Sequence, residues 1–174
     1  MSLSKSEIRN EVRAARKNHP VNSNFQFLLD VPEIIGAEVI ASYFPTEFEP
    51  NPSQINSELI KQKKILLLPR INNGELEFIK YEGGELVKNG IFNEPVGLPF
   101  FGEINAVLVP ALAVDKKGIR LGQGGGYYDK FLATNHAFRI ALINENEFVK
   151  SLPSEFHDQK VDAVALPSGF MRIS

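Results

Sequence analysis

The sequence contains no cysteine. That excludes disulfides, thiol nucleophiles, zinc–thiolate sites and iron–sulfur clusters, and it is compatible with the cytosol. It also lacks any apolar run near the roughly 18 residues needed to span a bilayer. Its first residues read as a charged helix, not as a signal peptide with a long apolar middle. A cytoplasmic protein is expected. Positive charge is not in excess: 19 Lys and Arg stand against 21 Asp and Glu, for a net charge of -2. A general electrostatic grip on nucleic acid or membrane is therefore disfavoured. There is no internal repeat and no low-complexity linker. With 174 residues and 43% hydrophobic content, the chain can bury one sizeable core, so residues 1–174 are expected to form a single domain.

Several local signals predict secondary structure. Ser4 followed by Glu7 is a capping-box pattern, and it predicts a helix over 4–18. Ile8, Val12 and Ala15 form its apolar stripe. Lys5, Arg9, Arg13 and Arg16 form a basic stripe beside it, and the first 20 residues carry a local charge of +3. A second helix is predicted over 23–30, with Pro32 near its end, and a third over 53–64. Strands are predicted over 38–44, 65–68, 76–81, 106–109, 138–143 and 161–166. Asn72-Asn73-Gly74 marks a hairpin turn. Residues 82–103, rich in Gly, Pro and Asn, read as a long loop. Strands that alternate with helices predict an α/β fold with a largely parallel sheet.

Five of the 13 glycines fall between Gly118 and Gly126, ahead of a helix predicted from about Tyr127. Five glycines cost about 2.5–5 kcal/mol in chain entropy, which is large against a folding free energy of about 5–15 kcal/mol. Backbone amides ahead of a helix bind anions, so a phosphate is the leading candidate ligand. A tight structural turn or a flexible linker is the plain alternative. Neither common nucleotide fingerprint fits: no Lys-Ser or Lys-Thr follows Gly122 or Gly126, and Tyr127 stands where G-x-G-x-x-G needs glycine. The flanks are more telling. Arg120, Tyr127, Tyr128, Asp129 and Lys130 supply charge, stacking surface and a carboxylate in the same short segment.

The segment Val109-Pro110-Ala111-Leu112-Ala113-Val114-Asp115, then Gly118, then Arg120 to Asp129, resembles the signature of the 5-formyltetrahydrofolate cyclo-ligase family. Weaker matches follow in the right order: Lys5-x-x-x-Arg9, Tyr43 to Glu49, Leu68-Pro69-Arg70, Glu94-Pro95, His157-Asp158 and Val161-Asp162. The resemblance implies a three-layer α/β/α sandwich. It implies that 5-formyltetrahydrofolate is closed to 5,10-methenyltetrahydrofolate with ATP and Mg2+, releasing ADP and phosphate. Lys5 and Arg9 would contact ATP phosphates, with Arg9 also near the folate. Phe44 and Glu49 would contact the pterin. Arg120, Leu121, Gly122, Gln123, Gly124, Gly125, Gly126, Tyr127 and Tyr128 would wrap the nucleotide, and Gln123 to Tyr127 would also touch the folate. Asp129 and Asp162 match the family's magnesium ligands.

The implied chemistry suits these groups. A formyl oxygen leaves poorly until ATP phosphorylates it; attack by nitrogen 10 then expels phosphate. Such catalysis is mostly positioning and charge stabilisation, for which Lys5, Arg9 and Arg120 are the candidates. No nucleophilic side chain is needed, in keeping with the missing cysteine and the lack of a Gly-x-Ser-x-Gly elbow. Plainer roles exist: the Lys5/Arg9 stripe as a solvated helix face, Glu49 as a loop acid, Asp162 as a turn residue. Departures from the family pattern include Gln123, where Tyr or a basic residue is usual, and Asn105, where Asp is frequent. They leave open a folate- or nucleotide-binding regulator without turnover, or an ATP-dependent ligase or kinase with another substrate.

Overall fold

The computed structural model describes residues 3–174. In chain order its helices are α1 (Lys5–Asn18), α2 (Pro32–Ile35), α3 (Ser53–Lys61) and α4 (Tyr127–Thr134). Its strands are β1 (Val39–Ala41), β2 (Ile65–Asn72), β3 (Glu75–Lys80), β4 (Leu86–Asn89), β5 (Phe92–Pro95) and β6 (Ala106–Pro110). They continue as β7 (Ala113–Asp115), β8 (Arg120–Leu121), β9 (Phe138–Leu142), β10 (Phe148–Val149), β11 (Ala163–Leu166) and β12 (Gly169–Arg172).

The main sheet has seven strands in the order β12-β11-β9-β6-β1-β2-β3. Its inner five run parallel, and β12 and β3 are antiparallel edges. Side chains alternate between faces along each strand, and both faces are apolar because both are covered. Ile40, Leu66, Leu108 and Ile140 pack with Phe25, Leu28, Ile34, Ile55 and Leu59 on one side. Val39, Ala41, Leu67, Val107 and Val109 pack with Leu132, Tyr128 and Phe131 on the other. The result is the expected three-layer α/β/α arrangement. A small sheet, β10-β7-β8, carries α1, whose Ile8 and Val12 sit against Leu112, Ala113 and Leu121.

The capping box of α1 forms in both directions: the Glu7 amide donates to Ser4 Oγ, and the Ser4 amide donates to Glu7 Oε2 at 2.8 Å. Arg16, on the same helix, is buried against Glu147 at 2.8 Å and donates to the Ala111 carbonyl at 2.6 Å. That anchor fixes how α1 approaches the C-terminal ends of the parallel strands.

Three expectations need correction. The helix expected over 23–30 is a 3-10 helix at Gln26–Asp30, and Pro32 opens α2 instead of closing the earlier turn. A proline at the first helical position loses no bond, since its missing N–H would be unpaired there anyway. Strand β2 runs through Pro69 to Asn72, beyond the expected 65–68. Its pairing with β1 ends at Leu67, so proline falls where that side is already an edge. The loop expected over 82–103 contains the β4–β5 hairpin, pinned to β2 because the Ile71 amide donates to Glu94 Oε1 at 3.1 Å. No helix among the described residues is long and apolar enough to cross a membrane.

Candidate active site

A cavity of about 680 Å³ opens where the parallel strands end, lined by Tyr43 and Phe44 after β1, Ile71 on β2 and Pro110 closing β6. In open α/β sheets this end of the strands is where ligands bind. Three further elements complete its walls: the first turns of α1, the glycine loop, and the segment from Pro153 to Asp158.

The glycine loop is built from its entry. Asp115 Oδ1 accepts the amides of Lys117 and Ile119, and its Oδ2 accepts the Leu152 amide at 3.0 Å. Gly118 has φ +81, and a Cβ there would lie 2.6 Å from the Val161 carbonyl oxygen. Its role is the tight turn that delivers the chain into β8. At Gly122 the close neighbour is a side chain: a Cβ would sit 2.7 Å from Arg120 Nη1. The missing side chain lets the guanidinium lie along the loop. Gly126, at φ 72, is the N-cap from which α4 begins.

Arg120 is 5% exposed. Its Nη1 donates to the Pro110 carbonyl at 3.1 Å, and its Nη2 to Asp129 Oδ1 at 3.3 Å. Its Nε is buried and has no partner among the described residues. Burial pulls its pKa down, opposed by the Asp129 charge and hydrogen bond. A guanidinium nevertheless stays charged. It also lies 5.8 Å from the centre of the Tyr128 ring, whose buried hydroxyl is likewise unpaired. Burial pushes that phenol up, so it stays protonated.

Helix α1 brings two basic residues to this loop and a third, Lys5, to the segment from Pro153 to Asp158. Arg9 Nε donates to the Gly122 carbonyl at 2.8 Å. Arg13 donates to the main-chain and side-chain oxygens of Gln123. Lys5 is held by Asp158 at 2.7 and 2.9 Å and by Glu155 at 3.1 Å. Burial pulls the Lys5 pKa down, but those bonds outweigh it and the net shift is upward.

The opposite wall is mainly apolar, formed by Phe44, Ile71, Leu76 and Phe92, with Glu49 among them. Glu49 Oε2 accepts the Thr46 amide at 2.7 Å, and Tyr43 donates its hydroxyl proton to the Pro50 carbonyl. These bonds brace the turn that presents Phe44 and Glu49.

The cavity thus unites Lys5, Arg9, Phe44, Glu49 and every candidate from Arg120 to Asp129. Asp162 is not among them. It precedes β11, level with Arg139 near the start of β9, and its Oδ2 accepts the Arg139 amide at 2.8 Å. The cavity lies toward the other end of these strands and Asp162 does not line it, whereas Asp129 lines it and its Oδ1 accepts the Gln159 amide at 3.0 Å. Asp158, four residues earlier, does line the cavity. Asn105 is also remote: its Oδ1 accepts the amides of Glu38 and Val39, a structural duty that an amide oxygen performs as well as a carboxylate.

The donor set fits a polyphosphate: a buried Arg120 Nε that is unpaired among the described residues, Arg9 of α1, and a loop free of side chains over 124–126. For magnesium, no group of three potential ligands exists among the described residues. Mg2+ commonly uses one or two carboxylates plus phosphate oxygens, and of the two aspartates it is Asp129 that lines the cavity. Sequence reasoning missed Glu155 and Arg13 as parts of the site. It noted Asp158 only in passing, although Glu155 and Asp158 sit three apart beside His157.

The model of the 5-formyltetrahydrofolate cyclo-ligase family matches residues 2–167. A Mycolicibacterium smegmatis protein named 5-formyltetrahydrofolate cyclo-ligase is 33% identical over 146 residues, covering 76% of this chain and 75% of its own length. A Haemophilus influenzae protein of the same name is 31% identical, covering 87% of this chain and 91% of its own. The solved structure of Aquifex aeolicus 5,10-methenyltetrahydrofolate synthetase superposes with a TM-score of 0.84 at 26% identity, covering 97% of this chain and 92% of that one. Carrying the Arg120–Asp129 signature on this fold, and matched over nearly its whole length, the chain belongs to the 5-formyltetrahydrofolate cyclo-ligase family.

Proposed function

We propose that the protein uses ATP and Mg2+ to close 5-formyltetrahydrofolate to 5,10-methenyltetrahydrofolate, releasing ADP and phosphate in the cytoplasm. The observation that carries this reading is the shared cavity: a basic, glycine-lined half meets a mainly apolar half that holds two braced carboxylates, Glu49 and Glu94.

In the basic half, Arg120 would stabilise charge on the transferring phosphoryl group, since it is buried, pre-oriented and has an unpaired Nε. Arg9 spends its Nε on Gly122 and keeps its two terminal nitrogens for phosphate oxygens. Lys5 would add a third positive charge. Leu121 to Tyr128 would enclose the nucleotide. Asp129, with the phosphates themselves, would hold magnesium, whose contribution is to screen phosphate charge.

In the apolar half, Phe44 and its neighbours would cover the pterin, and Glu49 would accept hydrogen bonds from its donor-rich edge. Gln123 to Tyr127 would also touch the folate, so that the formyl oxygen and the γ-phosphoryl group meet beside the glycine loop. The protein's share is alignment: phosphorylation turns the formyl oxygen into a leaving group, and nitrogen 10 then displaces phosphate as the ring closes.

The test mixes pure protein, magnesium-ATP and 5-formyltetrahydrofolate and follows the near-ultraviolet band of the methenyl product. No band at high enzyme concentration would sink the activity. Tight folate binding without ADP release would select a binding protein instead.

A further inference from the structure

The ammonium of Lys5 is already engaged by anions. Its Nζ donates to Asp158 Oδ1 at 2.9 Å and Oδ2 at 2.7 Å, and it lies 3.1 Å from Glu155 Oε1 as an ion pair. A phosphate that pairs with Lys5 meets the Glu155 carboxylate at the same ammonium.

The two carboxylates are not equal. The Asp158 side chain is 6% exposed and also accepts the Glu155 amide at 2.7 Å, so its position is fixed twice over. The Glu155 side chain is 59% exposed, and its other oxygen lies 3.5 Å from His157 Nε2. Exposed ion pairs are weak because water screens them, whereas a buried pair is costly to break. Glu155 is the partner that yields.

Both carboxylates face the same cavity as Arg9, Arg120 and the glycine loop. A carboxylate oxygen and a phosphate oxygen are alike as acceptors for an ammonium. We propose that Glu155 occupies, with its own carboxylate, the place at Lys5 that a nucleotide phosphate takes, and so sets nucleotide affinity by competition. Asp158 is the positioning residue that keeps Lys5 at the cavity wall through the exchange. This rests on the reading that ATP phosphates enter the basic half of the cavity.

The exchange has a signature that bulk charge does not. Removing the Glu155 carboxylate takes the exposed anion away from the Lys5 ammonium, so the gain depends on Lys5 being present. Isothermal titration of magnesium-ATP into the full chain should show E155Q binding about fivefold more tightly than the parent. In a K5M background the same E155Q change should alter affinity less than about 1.5-fold. E155A serves as the second variant, and thermal melts check that all four variants fold like the parent.

Equal affinity in the parent and E155Q overturns the proposal while leaving the function reading intact. An undiminished gain in the K5M background overturns it too, because general repulsion then explains the effect. If the parent binds no ATP, the function reading falls and takes this proposal with it.

Discussion

Arg13 grips Gln123 twice, through the main chain and through the side chain. Its Nη2 donates to the carbonyl oxygen at 3.0 Å and to Oε1 at 2.8 Å, and its Nε donates to Oε1 at 3.1 Å. Arg9 holds the preceding residue through the Gly122 carbonyl. The glycine loop, unusually free in conformation, is thus docked on α1. Gln123 can accept what Arg13 donates; a Lys or Arg there would offer only donors and a second positive charge.

The first prediction concerns this clamp. Q123K should raise KM for ATP about three- to tenfold while kcat changes less than about threefold, because losing hydrogen bonds loosens the loop without removing a reacting group. R13A should behave alike. Steady-state kinetics decides: a fall in kcat with KM unchanged would mean that Gln123 acts in the chemical step.

For Arg120 the expectation is different in kind. R120A should lower kcat/KM about 100- to 1000-fold, the scale seen when one pre-oriented donor to developing charge is lost. Circular dichroism should still report the folded spectrum. Unchanged kinetics would remove Arg120 from the site.

Two aspartates separate by their magnesium response. D129N should raise the magnesium concentration for half-maximal activity about tenfold, since one of few protein ligands is weakened. D162A should leave that concentration within about twofold and lower the melting temperature by several degrees, because the Arg139 amide loses its acceptor. The reverse pattern would return Asp162 to the metal.

Acid and base should act on the Lys5–Asp158 tether from opposite sides. Burial raises the Asp158 pKa, but the Lys5 bond, the Glu155 amide and the Lys5 charge outweigh it, leaving a value below the ordinary one of about 3.9. A depressed carboxyl stabilises the fold above its unfolded pKa, and that contribution fades as pH falls through the folded value. The Lys5 pKa is raised above about 10.4, so its contribution holds below that pH and fades as pH rises through the folded value. The stability difference between the parent and D158N, measured by urea unfolding, should be flat between about pH 5 and 9 and shrink below about pH 4. A difference that persists undiminished at pH 3 would contradict the tether.

Much of this was legible in the sequence because the signals are local. Ser4 and Glu7 announce α1 from three residues apart, and Asn72-Asn73-Gly74 announces a hairpin whose register pairs Asn72 with Glu75. The run from Arg120 to Asp129 is continuous in sequence, so its likeness to a family could be read directly. What stayed hidden is made by distance or by weak patterning. Arg13 meets Gln123 across 110 positions, and Lys5 meets Asp158 across 153, and no local periodicity encodes such meetings. Strands β4 and β5 are four residues each and half exposed, so they lack the apolar alternation that marks a strand. Asp162 is matched to the metal by likeness alone, and nothing local in the sequence shows that its Oδ2 accepts the Arg139 amide.

The anchoring of α1 also bears on the order in which the molecule can be assembled. The partners of Lys5, Arg9, Arg13 and Arg16 reside at Asp158, Gly122, Gln123 and Glu147, each more than 100 positions downstream. During synthesis, α1 emerges long before anything it docks against. It can wind early, helped by its own capping box, yet it remains an undocked amphipathic helix until most of the chain has left the ribosome. Contacts of such long span close slowly, because the intervening chain must first be ordered. A nascent chain stopped short of Glu147 therefore has neither the Arg16 anchor nor the Lys5 tether, whatever portion of the central sheet has formed.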